Sequence, residues 1–213
     1  MALTRKSISH LLFDWDGTLL DSSILGFAAF RKTFSDLGID FDQKAYESIY
    51  SPNWYTMYEA LGLQRHLWET ADELWIRHYG EESPRLVEGS KEALVELARR
   101  GYSLGIVSSG TRSRVVREIE DTGLSTVFQV VVCNEDIENK KPHPEGLEKA
   151  IRQLGASHES CVYIGDSPED IQMGRSARVL TVGVRSNYPT NERLTLAQPD
   201  IYLESVTGLL LHF

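Results

Sequence analysis

From position 86 onward, short apolar runs rich in β-branched residues alternate with stretches of helical periodicity, which limits the fold more than any other feature. SKEALVELARR, a helix that stops at Gly101, leads to YSLGIV. RSRVVREIEDT, which stops at Gly123, leads to FQVVVC, and PEGLEKAIRQL, opened by Pro144 and stopped by Gly155, leads to CVYIG. A helix from Ser167 and the run VLTVGV complete the series. Strands separated by helices of about 10–15 residues need right-handed crossovers, so the expected fold is α/β, a doubly wound, mostly parallel sheet. The early run HLLFDW belongs in the same sheet.

Between that run and position 85 the character changes. Residues 22–84 hold Trp54, Trp68 and Trp75, three of the four tryptophans, and lack β-branched runs. Phe27, Phe30 and Phe34 recur at helical spacing. The expected organisation is a core of residues 1–21 and 86–213, interrupted by an all-helical insertion over 22–85. Gly80, Pro84 and Gly89 mark the return linker. There are no internal repeats.

The 22 Lys and Arg stand against 31 Asp and Glu, a formal charge of −9. That balance argues against a general nucleic-acid binder, whose affinity comes from clustered cations opposite phosphates. It leaves room for one anionic small molecule, provided a metal or a well-placed lysine supplies local positive charge. The N-terminal stretch MALTRKSISHLLFDWDG is too poor in apolar residues for a signal peptide, and no run reaches the length of a membrane span. Cys133 and Cys161 sit in apolar runs without metal-ligand spacing, so buried free thiols and a reducing, cytoplasmic setting are expected. The oligomeric state leaves no mark on the sequence.

The chemistry concentrates where strands end. Asp14 and Asp16, in Phe13-Asp14-Trp15-Asp16-Gly17-Thr18, come directly off an apolar strand, where carboxylates are costly unless they meet a cation or do work. Ligands of doubly wound sheets bind at the carboxyl ends of strands. Three more features fall at equivalent places. Ser108 and Ser109 follow SLGIV; alone they fit an ordinary loop or a helix N-cap equally well. Lys141, in KKPHP, alone fits a solvated surface charge. Asp166 opens Asp166-Ser167-Pro168-Glu169-Asp170, where Ser167 and Asp170 also have the spacing of a capping box with Pro168 at the first helical position. Taken together, two acids, a hydroxyl, a lysine and a further acid at one sheet edge make a site for phosphate and Mg²⁺, whose hard oxygen ligands carboxylates supply.

In this order, FDWDGTLLD, IVSSG, KKPHP and GDSPED, the chain resembles the haloacid dehalogenase superfamily, and within it the phosphatases that carry a helical cap between the first two motifs. The resemblance covers the first strand and most of residues 86–203; the insertion matches by location alone. It implies a Rossmann-like core and an aspartyl-phosphate mechanism: Asp14 as nucleophile, Asp16 as general acid and base. Asp14, the backbone carbonyl of Asp16 and Asp166 would hold Mg²⁺, with Asp170 in support. Ser108, Ser109 and Lys141 would bind the phosphoryl group. An acid at position 16 favours phosphate cleavage over dehalogenation.

The expected activity is hydrolysis of a small phosphomonoester, as in the phosphoglycolate phosphatases. A sugar phosphomutase of the β-phosphoglucomutase kind and a pyrophosphatase share the same motifs. A receiver-type phospho-acceptor domain also presents Asp, hydroxyl and Lys at strand ends, but not the helical insertion or the Asp14/Asp16 spacing. The cap carries a net charge of −5 over residues 22–84, an unfavourable lining for a polyanion. Its aromatics, Tyr46, Tyr50, Trp54, Tyr55 and Tyr58, either face substrate or pack the cap's own core. Arg112 either contacts substrate or lies on a surface helix.

Overall fold

A computed structural model describes residues 8–213; residues 1–7, the start of the stretch read against a signal peptide, lie outside the described residues. The chain divides into two compact units, Met1–Asp21 with Leu86–Phe213, and Ser22–Arg85.

The first unit is built on a six-stranded sheet: β1 His10–Phe13, β2 Ser103–Val107, β3 Phe128–Val132, β4 Cys161–Gly165, β5 Leu180–Val184 and β6 Ile201–Leu203. The spatial order is β3-β2-β1-β4-β5-β6, and every pairing is parallel. The order reverses between β1 and β4, so the crossovers run outward in opposite directions from that point and leave a crevice at the strands' carboxyl ends. Helices lie between successive strands: α5 (Ser90–Arg99), α6 (Arg112–Asp121), α7 (Glu145–Leu154), α8 (Pro168–Ser176) and α9 (Asn191–Leu196) follow α1–α4 of the insertion in chain order. This is the expected doubly wound α/β fold. The edge strand β6 lies past the last run that periodicity singled out.

Strand β1 shows why the sequence folds this way. Leu11 and Phe13 join one apolar cluster with Leu94, Leu97, Val115 and Ile119, while Leu12 joins another with Leu147, Ala150, Ile151 and Met173. All three β1 side chains are fully buried. A strand sandwiched between two helical layers has no polar face to alternate with, hence the continuous apolar reading. Both cysteines are buried and free. Among the described residues no helix is long and apolar enough to cross a membrane.

The second unit contains α1 (Ser23–Asp36), α2 (Gln43–Ile49), α3 (Trp54–Ala60) and α4 (Trp68–Tyr79). Phe30, Phe34, Phe41, Tyr46, Met57 and Tyr58 form its buried core, with the Phe34 and Phe41 rings 4.7 Å apart. Tyr46 and Tyr58 therefore pack this core, while Tyr50, Trp54 and Tyr55 are partly buried against it. One polar node interrupts the apolar packing. Asp72 accepts hydrogen bonds from Trp54 Nε1 at 2.8 Å, Tyr55 OH at 3.0 Å and Tyr58 OH at 3.0 Å, which ties α3 to α4. Removing a shared acceptor strands three donors at once. Asp72→Ala is expected to cost about 3 kcal/mol and Asp72→Asn, which keeps one acceptor oxygen, clearly less. Chemical denaturation and amide exchange across residues 54–79 would register the difference.

Candidate active site

Register places the acids. Phe13 pairs with Ile106 on one side and with Ile164 on the other, so Asp14, Ser108 and Asp166 lie one or two residues beyond matched positions on three adjacent strands. The ladder runs on into the site, with Asp14 N donating to Ile164 O at 2.8 Å and Ser108 N to Val132 O at 2.9 Å.

Lys141 reaches this edge from the loop before α7. Its Nζ donates to Asp14 Oδ1 at 2.6 Å and to Asp170 Oδ1 at 2.8 Å, and the side chain is 3% exposed. Burial alone would neutralise a lysine, but the carboxylates of Asp14 and Asp170 outweigh it and hold the ammonium well above the ordinary pKa. Lys140, by contrast, donates to the carbonyls of Asn134 and Ile137 and pins its own loop.

Asp14, Asp166 and Asp170 each offer a carboxylate oxygen within 4.8 Å of the others, and all three are buried. Burial pushes Asp14 up to about 7; Lys141 pulls the other way, and the charge of Asp170 adds to the rise. Asp166 is raised well above the usual range by burial and by the charges of Asp14 and Asp170. Three carboxylates against one ammonium leave an excess of negative charge that a divalent cation would relieve, so the donor set fits Mg²⁺.

The three acids are not equivalent. Asp170 Oδ1 accepts from Lys141 and Tyr163 OH, and Oδ2 from Ser167 N and Oγ. Four donors fill the lone pairs of both oxygens, which makes Asp170 an anchor for Lys141. It also closes the capping box that starts α8, with Pro168 in the first turn. Asp166 packs against the turn after β1: Thr18 Oγ1 lies 3.5 Å from its Oδ1, and a Cβ on Gly17 would collide with its Oδ2. Gly17 also has φ +83°, so only glycine suits both the turn and the acid beside it.

Of the expected phosphate-binding residues, Ser108 is buried, and its Oγ accepts from Gly110 N at 2.9 Å. Ser109 is half-buried in the same loop. Asp16 is gripped from α6: its Oδ1 and Oδ2 accept from Arg114 Nη1 at 3.0 Å and Nη2 at 2.6 Å. Sequence reasoning missed Arg114 and weighed Arg112 instead. Arg112 is exposed and bonds to Val131 O and to Asp136. The one available signal was that Arg114 and Glu118 share the helix stripe of Val115 and Ile119.

A model of the haloacid dehalogenase-like hydrolases matches residues 11–184. The chain belongs to that family. It is an enzyme of phosphatase type, and a receiver domain is excluded. Pyrophosphatase PpaX of Listeria monocytogenes serotype 4b is 34% identical over 211 residues, 95% of each chain. The fold matches a predicted phosphoglycolate phosphatase from Haemophilus somnus at 19% identity with a TM-score of 0.86, over 97% of this chain and 98% of that one. It also matches a β-phosphoglucomutase from Clostridium difficile at 23% identity and TM-score 0.78, over 95% and 93%.

The raised Asp14 has a measurable consequence. Its folded pKa of about 7 lies above the ordinary 3.8, so the native state favours the proton; this contribution to stability is complete below the ordinary value and is lost as pH rises through about 7. Metal-free protein should therefore melt at lower temperature at about pH 8 than at about pH 5, and Asp14→Asn should flatten that slope. Added Mg²⁺ should raise the melting temperature more at the higher pH, and an equal rise at both would contradict the assignment.

Proposed function

We propose that the chain is a Mg²⁺-dependent phosphatase that hydrolyses a small phosphomonoester through an aspartyl-phosphate on Asp14. The observation that carries this reading is the buried Lys141 ammonium bridging Asp14 and Asp170, with Asp166 within metal-sharing distance. A carboxylate held beside a cation at the end of a central strand is positioned to attack phosphorus, and phosphoryl transfer asks a protein chiefly for such positioning and charge stabilisation.

Asp14 and Asp166, with the backbone carbonyl of Asp16, would hold Mg²⁺, which when bound draws charge from the phosphoryl oxygens. An Asp14 oxygen forms a bond to phosphorus as the bond to the leaving oxygen breaks, and protonated Asp16 passes its proton to that oxygen. A water oxygen then attacks phosphorus, its proton goes to Asp16, and the bond from phosphorus to Asp14 breaks. Lys141, Ser108 and Ser109 hold the phosphoryl oxygens. Residues 22–85 serve as the substrate-selecting cap domain and residues 1–21 and 86–213 as the catalytic core, in a cytoplasmic setting.

The 34% identity to pyrophosphatase PpaX over 95% of both chains favours pyrophosphate as a second reading; the net −5 over residues 22–84 weighs toward the smaller charge of a monoester. Phosphate release from a panel of phosphorylated metabolites, with pyrophosphate included, decides between them. A β-hexose 1-phosphate in the panel yields free phosphate from a phosphatase and 6-phosphate from a mutase. Asp14→Asn should reduce turnover to background, and Asp16→Asn should slow it roughly 10²–10⁴-fold while still allowing Asp14 to be phosphorylated. Turnover that survives exhaustive chelation would contradict the metal requirement.

A further inference from the structure

Arg114 is buried, although its helix neighbours Ser113 and Arg117 lie exposed. Burying a guanidinium is costly unless its donors are well used. Here Nη1 and Nη2 grip the two oxygens of Asp16 at 3.0 and 2.6 Å, and Nη1 also donates to Glu118 Oε2 at 3.0 Å. Glu118 Oε2 in turn accepts from Trp15 Nε1 at 2.8 Å, and Trp15 is the residue before Asp16. The bonds close a ring: Asp16 to Arg114, Arg114 to Glu118, Glu118 to Trp15, and Trp15 back to Asp16 through the chain. Gly110 makes room for it, since a Cβ there would collide with Arg114 Nη2.

We propose that Arg114 is the positioning residue for the Asp16 carboxyl, and that Glu118 and Trp15 lock Arg114 in that role. A two-pronged guanidinium bond fixes both the place and the rotation of a carboxyl group, which one hydrogen bond leaves free to turn. The assignment rests on the reading of Asp16 as the group that protonates the leaving oxygen. Arg114 acts through Asp16: it favours the carboxylate that takes a proton from water, and in the first step one Asp16 oxygen stays on the guanidinium while the other carries the proton to the leaving oxygen.

The test compares two aryl esters. p-Nitrophenolate leaves without a proton, whereas phenolate needs one, so misplacing the donor penalises phenyl phosphate selectively. In R114Q/E118Q the charges of Arg114 and Glu118 go together, so Glu118 is not left as an unpaired buried carboxylate, and the amide oxygen introduced at position 118 still accepts from Trp15. This variant should lose about 10²-fold in kcat/KM on phenyl phosphate and less than about tenfold on p-nitrophenyl phosphate. G110A, which crowds the guanidinium without removing its charge, should shift the ratio the same way and serves if the double variant does not fold. On a D16N background either change should have no further effect on the ratio. Equal slowing of both esters, or an undiminished effect in D16N, would overturn the assignment. If D16N itself leaves the phenyl to p-nitrophenyl ratio unchanged, the role of Asp16 falls first and this proposal with it; a shifted ratio in D16N alone overturns only the role of Arg114.

Discussion

The ammonium of Lys141 sits where burial would normally strip its charge, held there by carboxylates on two sides. Much of the site depends on that contact. Without it Asp14 and Asp170 would be buried acids close to each other and to Asp166, each raising the cost of ionising the next. With it, one ionised carboxylate becomes tolerable in an apolar setting, and the remaining negative charge is the kind that a hard divalent cation satisfies. An anionic substrate is thus compatible with the acidic net charge of the chain where Lys141 and a divalent cation would offset the concentration of carboxylates at one sheet edge.

The sheet makes that concentration possible. Reversal of strand order between β1 and β4 leaves the carboxyl ends of both strands facing one crevice, and matched registers bring Asp14 and Asp166 to similar depth. The fold is shared with proteins named for different reactions, so specificity has to lie in side chains rather than in the architecture.

Much of this could be read from the residues. The apolar, β-branched runs are near continuous because both faces of the sheet are covered, and they fixed the α/β class. The capping-box spacing of Ser167 and Asp170 appears as expected. Its second use, as the anchor of Lys141, depends on a partner 29 positions away, which local patterns do not reveal. Arg114 was only faintly legible, through the helix stripe it shares with Val115 and Ile119, for a related reason. An Arg and a Glu four apart on a helix read as a solvated pair, and only the approach of Asp16, 98 positions distant, turns them into a buried ring. The aromatics of the insertion were ambiguous by composition, because packing and ligand contact call for the same side chains.

The partners of Asp14 come late in the chain. Lys141 follows it by 127 positions, and Thr18 and Asp166 meet across 148. Synthesis therefore makes Asp14 before these residues, and most of the sheet must emerge before the lysine and the second acid can reach it. Until Lys141 and Asp166 are in place, Asp14 has neither its ammonium partner nor the second acid beside it. A nascent or truncated chain thus carries Asp14 in ordinary surroundings, and its buried, ammonium-paired state appears only once Lys141 and the strands beside β1 are in place.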